Sequence, residues 1–178
     1  ASKGRVVSVY EGGLLDRVVF DSFVRMVRES LDQLGWFDVA ASGRTPLTLL
    51  TTPVEFHDEI PTNAAIIQFE DHYDDPGEIG STLTFDRTMA WVDIYPESLA
   101  LGRHLAGDVR DILRGKMPSI GRDDPSFEVL DLPGGVDPPP VLFLVDIADV
   151  EIHREPKPST TPGRFWVSVS ALLEEERA

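Results

Sequence analysis

"VDIYPESLALGRHLAGDVRDILRG", residues 92–115, is the stretch on which the fold turns. A mostly apolar strand, read over Met89 to Tyr95, ends in a Pro96-Glu97-Ser98 turn. Leu101, Leu105, Val109 and Ile112 then recur at spacings of four, four and three, which predicts an amphipathic helix over about residues 97–114, closed by Gly115 and Pro118. A strand running directly into a helix is where many enzymes hold a nucleophile, and Ser98 stands at this junction. A nucleophile elbow needs G-x-S-x-G, because only small neighbours permit its strained turn. Here the neighbours are Pro96, Glu97, Leu99 and Ala100. Ser98 is therefore read as a cap or first-turn residue, with Pro96 and Glu97 suited to a helix start by fixed φ and by the dipole. Gly102 and Gly107 each cost the helix roughly 1 kcal/mol relative to Ala and are expected to mark close packing.

Upstream, Phe20, Val24, Val27, Leu31 and Leu34 lie on one helical stripe widened by Val19, Phe23 and Met26, which predicts a first helix from about Leu14 to Leu34, ended by Gly35. Asp21 with Arg25, Arg25 with Glu29 and Arg28 with Asp32 are four apart on its opposite face, positioned for ion pairs. Extended segments are read at Leu47 to Thr52 and Ala64 to Phe69. Downstream, strands are expected at Phe127 to Leu132, Val141 to about His153 and Arg164 to Leu173. In the last, Phe165, Val167, Val169 and Ala171 alternate with Trp166, Ser168, Ser170 and Leu172, the pattern of one buried and one wet face. The strands on either side of the "HREPKPSTTPG" loop are expected to pair antiparallel. The prediction is a single α+β domain over residues 1–178, with a short arm (1–12), a charged tail (174–178), and two main helices on a mixed, mostly antiparallel sheet of five to six strands.

The chain has 178 residues, 42% hydrophobic and 26% charged, enough for one core that removes about 70% of the unfolded surface from water. Its longest purely apolar run is Val141 to Val145, too short for a membrane span. The first residues, "ASKGRVVSVYEGG", contain no apolar stretch of signal length, so a cytosolic protein is expected. The absence of cysteine excludes disulfides, thiolate nucleophiles and Cys-based metal sites. Sixteen Lys and Arg against 31 Asp and Glu give a formal charge of −15, which repels nucleic acid from most of the surface.

The acids are clustered. Residues 55–86 carry Glu55, Asp58, Glu59, Glu70, Asp71, Asp74, Asp75, Glu78 and Asp86 and no Lys or Arg. Because unpaired carboxylates are costly to bury, this segment is expected to be surface loops and strand edges, with "DHYDDPGE" a solvated loop. His57 and Asp58 with Asp71 and His72 are candidate ligands for a divalent cation, which would make a small metal-dependent hydrolase an alternative. The spacing lacks both D-x-D-x-D-G and H-E-x-x-H, so no metal site, cofactor or catalytic set is expected. His104, beside Arg103 and Asp108, reads as a surface or boundary residue. Trp36, Trp91 and Trp166 read as core or interface aromatics.

Taken as a whole, an acidic, cysteine-free chain with a long N-terminal amphipathic helix, a β-meander and then "WVDIYPESLALGRHLAGDVRDILRG" resembles the tail terminator proteins of long-tailed, non-contractile bacteriophages. The resemblance implies a structural virion protein that forms a six-membered ring at the head-proximal end of the tail tube, stops tube growth and docks the head connector. It implies as partners further copies of the chain, the tail tube protein and the head-completion protein, assembled in the host cytoplasm. DNA would pass through the lumen without specific binding, and Glu70, Asp71, Asp74, Asp75 and Glu78 would face that lumen or a neighbouring ring. Another neck ring, such as a stopper, or a tail tube protein is the nearer alternative.

Overall fold

The computed structural model describes residues 13–38, 45–51, 60–76, 84–132, 134–154 and 165–175. Helix α1 spans Gly13–Gln33 and buries Val19, Phe23, Val24, Val27 and Leu31 along its predicted stripe. Gly35, at φ +81°, ends it: its N–H donates to Asp32 O at 3.0 Å and Trp36 N–H to Leu31 O at 3.1 Å, the paired bonds of a Schellman cap. Helix α2, Leu99–Leu113, ends in the same way, with Gly115 at φ +65° donating to Ile112 O and Lys116 to Asp111 O.

Among the described residues seven strands form one sheet: β1 (Thr48–Leu50), β2 (Ala64–Pro76), β3 (Thr84–Tyr95), β4 (Ser126–Glu128), β5 (Val141–Val145), β6 (Glu151–Arg154) and β7 (Phe165–Glu175). Their order is β1-β2-β3-β7-β5-β4, with β6 also paired to β7. Among these described strands, β1 and β2 run parallel and the other pairs antiparallel. The chain is thus an α+β domain with a mixed sheet. The strands flanking residues 155–164 pair antiparallel as expected, through Glu151↔Ser168 to Arg154↔Phe165.

Both helices lie on one face of the sheet. There Ala65 and Ile67 of β2, Ala90, Val92 and Ile94 of β3, and Val167, Val169, Ala171 and Leu173 of β7 meet the buried stripes of α1 and α2 in one apolar cluster. Each fully buried Leu, Ile, Val or Phe contributes about 1.5–3 kcal/mol. Phe23 joins three elements, its ring 5.5 Å from Phe69 and 5.6 Å from Phe127.

Four readings are corrected. The stretch 70–76 is strand, not loop: β2 pairs with β3 as far as Pro76↔Thr84, with a register shift between His72 and Asp75. Ladder hydrogen bonds do not depend on apolar alternation, so acidic residues extend a hairpin once its register is set. The single strand expected over 141–153 is two, because residues 146–150 form a bulge opposite residues 169–171 with Asp146 at φ +49°. Gly107 has nothing within 4 Å of where a β-carbon would lie, so it does not mark close packing; Gly102 does. Of the ion pairs expected along α1, Arg25 instead reaches Asp131 at 3.2 Å, and Arg28 pairs with no described residue.

Candidate functional site

Ser98 is the N-cap of α2, its Oγ accepting from Leu101 N–H at 3.3 Å. Gly102, one turn on, lies against Pro96 of the preceding turn and Val167 of β7, so the helix start is pressed onto that turn and onto β7. Among the described residues no helix is long and apolar enough to cross a membrane.

Of the acidic residues singled out in the sequence, Glu70, Asp71, Asp74 and Asp75 are carried by β2 in its ribbon with β3, and Glu78 lies outside the described residues. The Glu70 side chain is exposed and accepts a hydrogen bond from Trp91 Nε1 at 3.0 Å. His57 and Asp58 lie outside the described residues, as do the side chains of Asp71 and His72. Among the described residues no three His, Asp or Glu side chains converge to hold a metal. His104 is a boundary residue: 64% of its side chain is exposed, 3.5 Å from Asp108 and edge-on to Trp36, whose Nε1 donates to Asp108 at 2.9 Å.

The group that sequence reasoning did not assemble lies on the sheet face opposite the helices. Strand alternation places Asp93, Ser168, Glu151 and His153 together, with Asp93 and Glu151 the cross-strand neighbours of Ser168 on either side. His153 Nε2 is 2.7 Å from Ser168 Oγ and 3.6 Å from Glu151 Oε2. Gln68 Nε2 donates to Asp93 Oδ2 at 3.4 Å. Burial pushes the Asp93 carboxyl above the ordinary aspartate value, and the nearby His153 opposes that rise. The imidazole stacks on Trp166 at 5.2 Å, and Trp166 in turn stacks on Tyr95 at 6.1 Å.

Serine, histidine and aspartate in one cluster invite comparison with a hydrolase triad, and the geometry departs from it. A triad needs the aspartate to hold the imidazole nitrogen opposite the serine, and no hydrogen bond joins Asp93 to His153. Ser168 is 2% exposed, and it lies within paired β-strand, where ladder bonds occupy backbone N–H groups that an oxyanion hole would have to present. What the arrangement offers is a half-buried face of aromatic rings and carboxylates. The serines, expected on a wet face, are buried because both are small and lie among large neighbours: Trp91 opposite Ser170, His153 bonded to Ser168. The legible signal was Asp93, one acid inside an otherwise apolar strand and in phase with Trp91 and Tyr95.

A groove of about 470 Å³ runs between α1 and residues 120–130. Arg122 in its wall donates through Nε and Nη2 to Ile112 O at 3.2 and 3.0 Å and through Nη1 to Ser126 O at 2.6 Å. It fastens the last turn of α2 to β4, a structural use of the guanidinium. The sequence matches no protein-family model and no curated protein.

Proposed function

We propose that this chain is the subunit of a homo-hexameric ring that sits on the head-proximal end of a non-contractile phage tail tube, ends tube polymerisation and docks the head connector. The observation that carries the reading is the second sheet face, where the half-buried Trp91 and Trp166 stand among Glu70, Asp93 and Glu151. Trp surrounded by polar groups is the composition of a surface that meets another protein, since one end of each ring is apolar and the other bonds. The element order adds support: a long first helix, three strands, the β3–α2 corner and further strands match the order that suggested the terminator resemblance. A formal charge of −15 suits a conduit that lets DNA slide through instead of holding it.

The test is to delete the gene from the assembling virus and measure tails by electron microscopy. The proposal requires tubes of uncontrolled length or tails that do not join filled heads. Normal tails attached to heads would refute it.

A further inference from the structure

Among the described strands β1, β4 and β6 each leave one side of the sheet's ladder open, and side chains shut one of these edges. Along β4 the bonds from Leu144 N–H to Pro125 O and from Val129 N–H to Pro140 O turn the odd-numbered residues towards β5, so the even-numbered ones face outwards. There the Ser126 carbonyl accepts from Arg122 Nη1 at 2.6 Å, and the Leu130 N–H donates to Ser22 Oγ at 3.0 Å. The edge at β6 has no such cover. Ala148 N–H donates to Ser170 O at 2.9 Å, which turns the even-numbered residues of β7 towards this side. Glu151 and His153 therefore bond to Ser168 and Trp166, while the N–H and C=O of Ile152 point away from β7. Neither group of Ile152 bonds to a described residue, and Ile152, 37% exposed, is one of two large apolar residues exposed among those described. The edge at β1 is three residues long and carries no charge that would fix a register.

We propose that β6 is a self-docking edge, pairing antiparallel with β6 of a second copy of this chain about a two-fold axis at Ile152. An edge with free N–H and C=O groups is a template for another strand, and here the edge's own sequence, Glu151-Ile152-His153, selects the occupant. In this register the two Ile152 residues exchange both backbone bonds and bring their exposed side chains together. Glu151 of each copy then stands opposite His153 of the other, at the non-hydrogen-bonded positions where side chains lie closest. Opposite charges across a strand pair stabilise it, and like charges destabilise it. A slip of two residues one way would set Glu151 against Glu151, and the other way His153 against His153, so charge fixes the register. Both groups have capacity for the contact. Glu151 is 59% exposed and reaches its own His153 at 3.6 Å through one carboxylate oxygen, and His153 engages Ser168 through Nε2 while Nδ1 bonds to no described residue. The contact is two-fold, unlike the head-to-tail contacts of a ring, so it goes beyond the ring reading and is judged apart from it.

The experiment runs sedimentation velocity on the full chain over a range of concentrations, with folding of every variant checked by circular dichroism. Ile152→Pro removes the outward N–H and leaves the bonds of Glu151 and His153 to β7 in place, as an edge strand allows. Glu151→Lys sets a basic group opposite His153 of the other copy, and it decides the comparison if the proline variant does not fold. The expected result is a reversible dimer for the unmutated chain and monomers for both variants. Register is read separately. The chain has no cysteine, so Ile152→Cys brings together two thiols whose Cα atoms lie about 5.5 Å apart in the proposed pair, inside disulfide range. Under mild oxidation this variant should form covalent dimers at concentrations where Glu128→Cys, on the covered β4 edge, stays monomeric. An unmutated chain that is monomeric throughout overturns the proposal, as does equal crosslinking of the two cysteine variants. Oligomers that both Ile152→Pro and Glu151→Lys leave intact belong to other surfaces and overturn it too, while the gene-deletion phenotype judges the ring reading by itself.

Discussion

A β-carbon on Gly102 would lie 2.6 Å from Cγ of Pro96, the first residue after β3. The same atom would meet Val167 Cγ2 at 3.3 Å, so the first turn of α2 is held against two neighbours by the absence of a side chain. Gly102→Ala is expected to destabilise the fold by about 1–3 kcal/mol, as overpacking does, despite the better helix propensity of Ala. Gly107→Ala, in the same helix with open space around it, is expected to stabilise by roughly 1 kcal/mol. Urea denaturation of the two variants checks both signs, and equal effects would mean the Pro96 contact is not limiting.

Ser98→Ala removes the side chain that accepts from Leu101 N–H. The expected cost is about 1 kcal/mol of stability. If the proposed ring function holds, tail assembly by the variant is unchanged at a temperature where it stays folded. Lost assembly with intact folding would return Ser98 to consideration as a chemical group.

Arg122→Ala leaves the Ile112 and Ser126 carbonyls without their charged donor, at a cost of about 2–3 kcal/mol. Burial lowers the basicity of this guanidinium and Asp124 partly restores it. Arg122→Lys should recover only part of the loss, because an ammonium cannot fork between two carbonyls. Guanidinium chloride midpoints for the three proteins provide the measurement.

Asp93 gives a pH signature. A carboxyl whose folded value is raised contributes stability below its unfolded value, and that contribution is lost as pH rises through the folded value. Asp93→Asn should therefore be at least as stable as the unmutated monomer at pH 7. The difference should shrink towards zero as the pH falls below the ordinary aspartate range, where Asp93 is protonated. Unfolding free energies of both proteins across pH 3–8, taken at low protein concentration, test the sign; an Asn variant less stable at pH 7 than at pH 4, relative to the unmutated chain, would contradict it.

The helices and their ends were readable because a 3.6-residue period and a terminal glycine are local signals, and Gly35 and Gly115 both occupy the left-handed conformation a Schellman cap requires. The Glu70 to Pro76 strand was not readable, because Asp and Glu disfavour strands and its ladder is supplied by Thr84 to Met89, whose pairing depends on register. The Asp93, His153 and Ser168 cluster was hidden for a different reason. Its members come from three strands, and only sheet order brings β6 and β3 to opposite sides of β7.

The bulge at residues 146–150 explains why the break between β5 and β6 escaped detection, and it sets a rule for altering this edge of the molecule. Five residues there oppose three on β7, a surplus of two, and two is the side-chain period of a strand. Odd-numbered residues therefore keep to the same face on both sides of the interruption, and the alternation reads through as if unbroken. Excising two residues from the bulge would merge the two segments into one regular strand with its inside and outside preserved. Excising one would turn Glu151 and His153 towards the helices and Ile152 away from them, so the permissible deletions at this edge come in even steps.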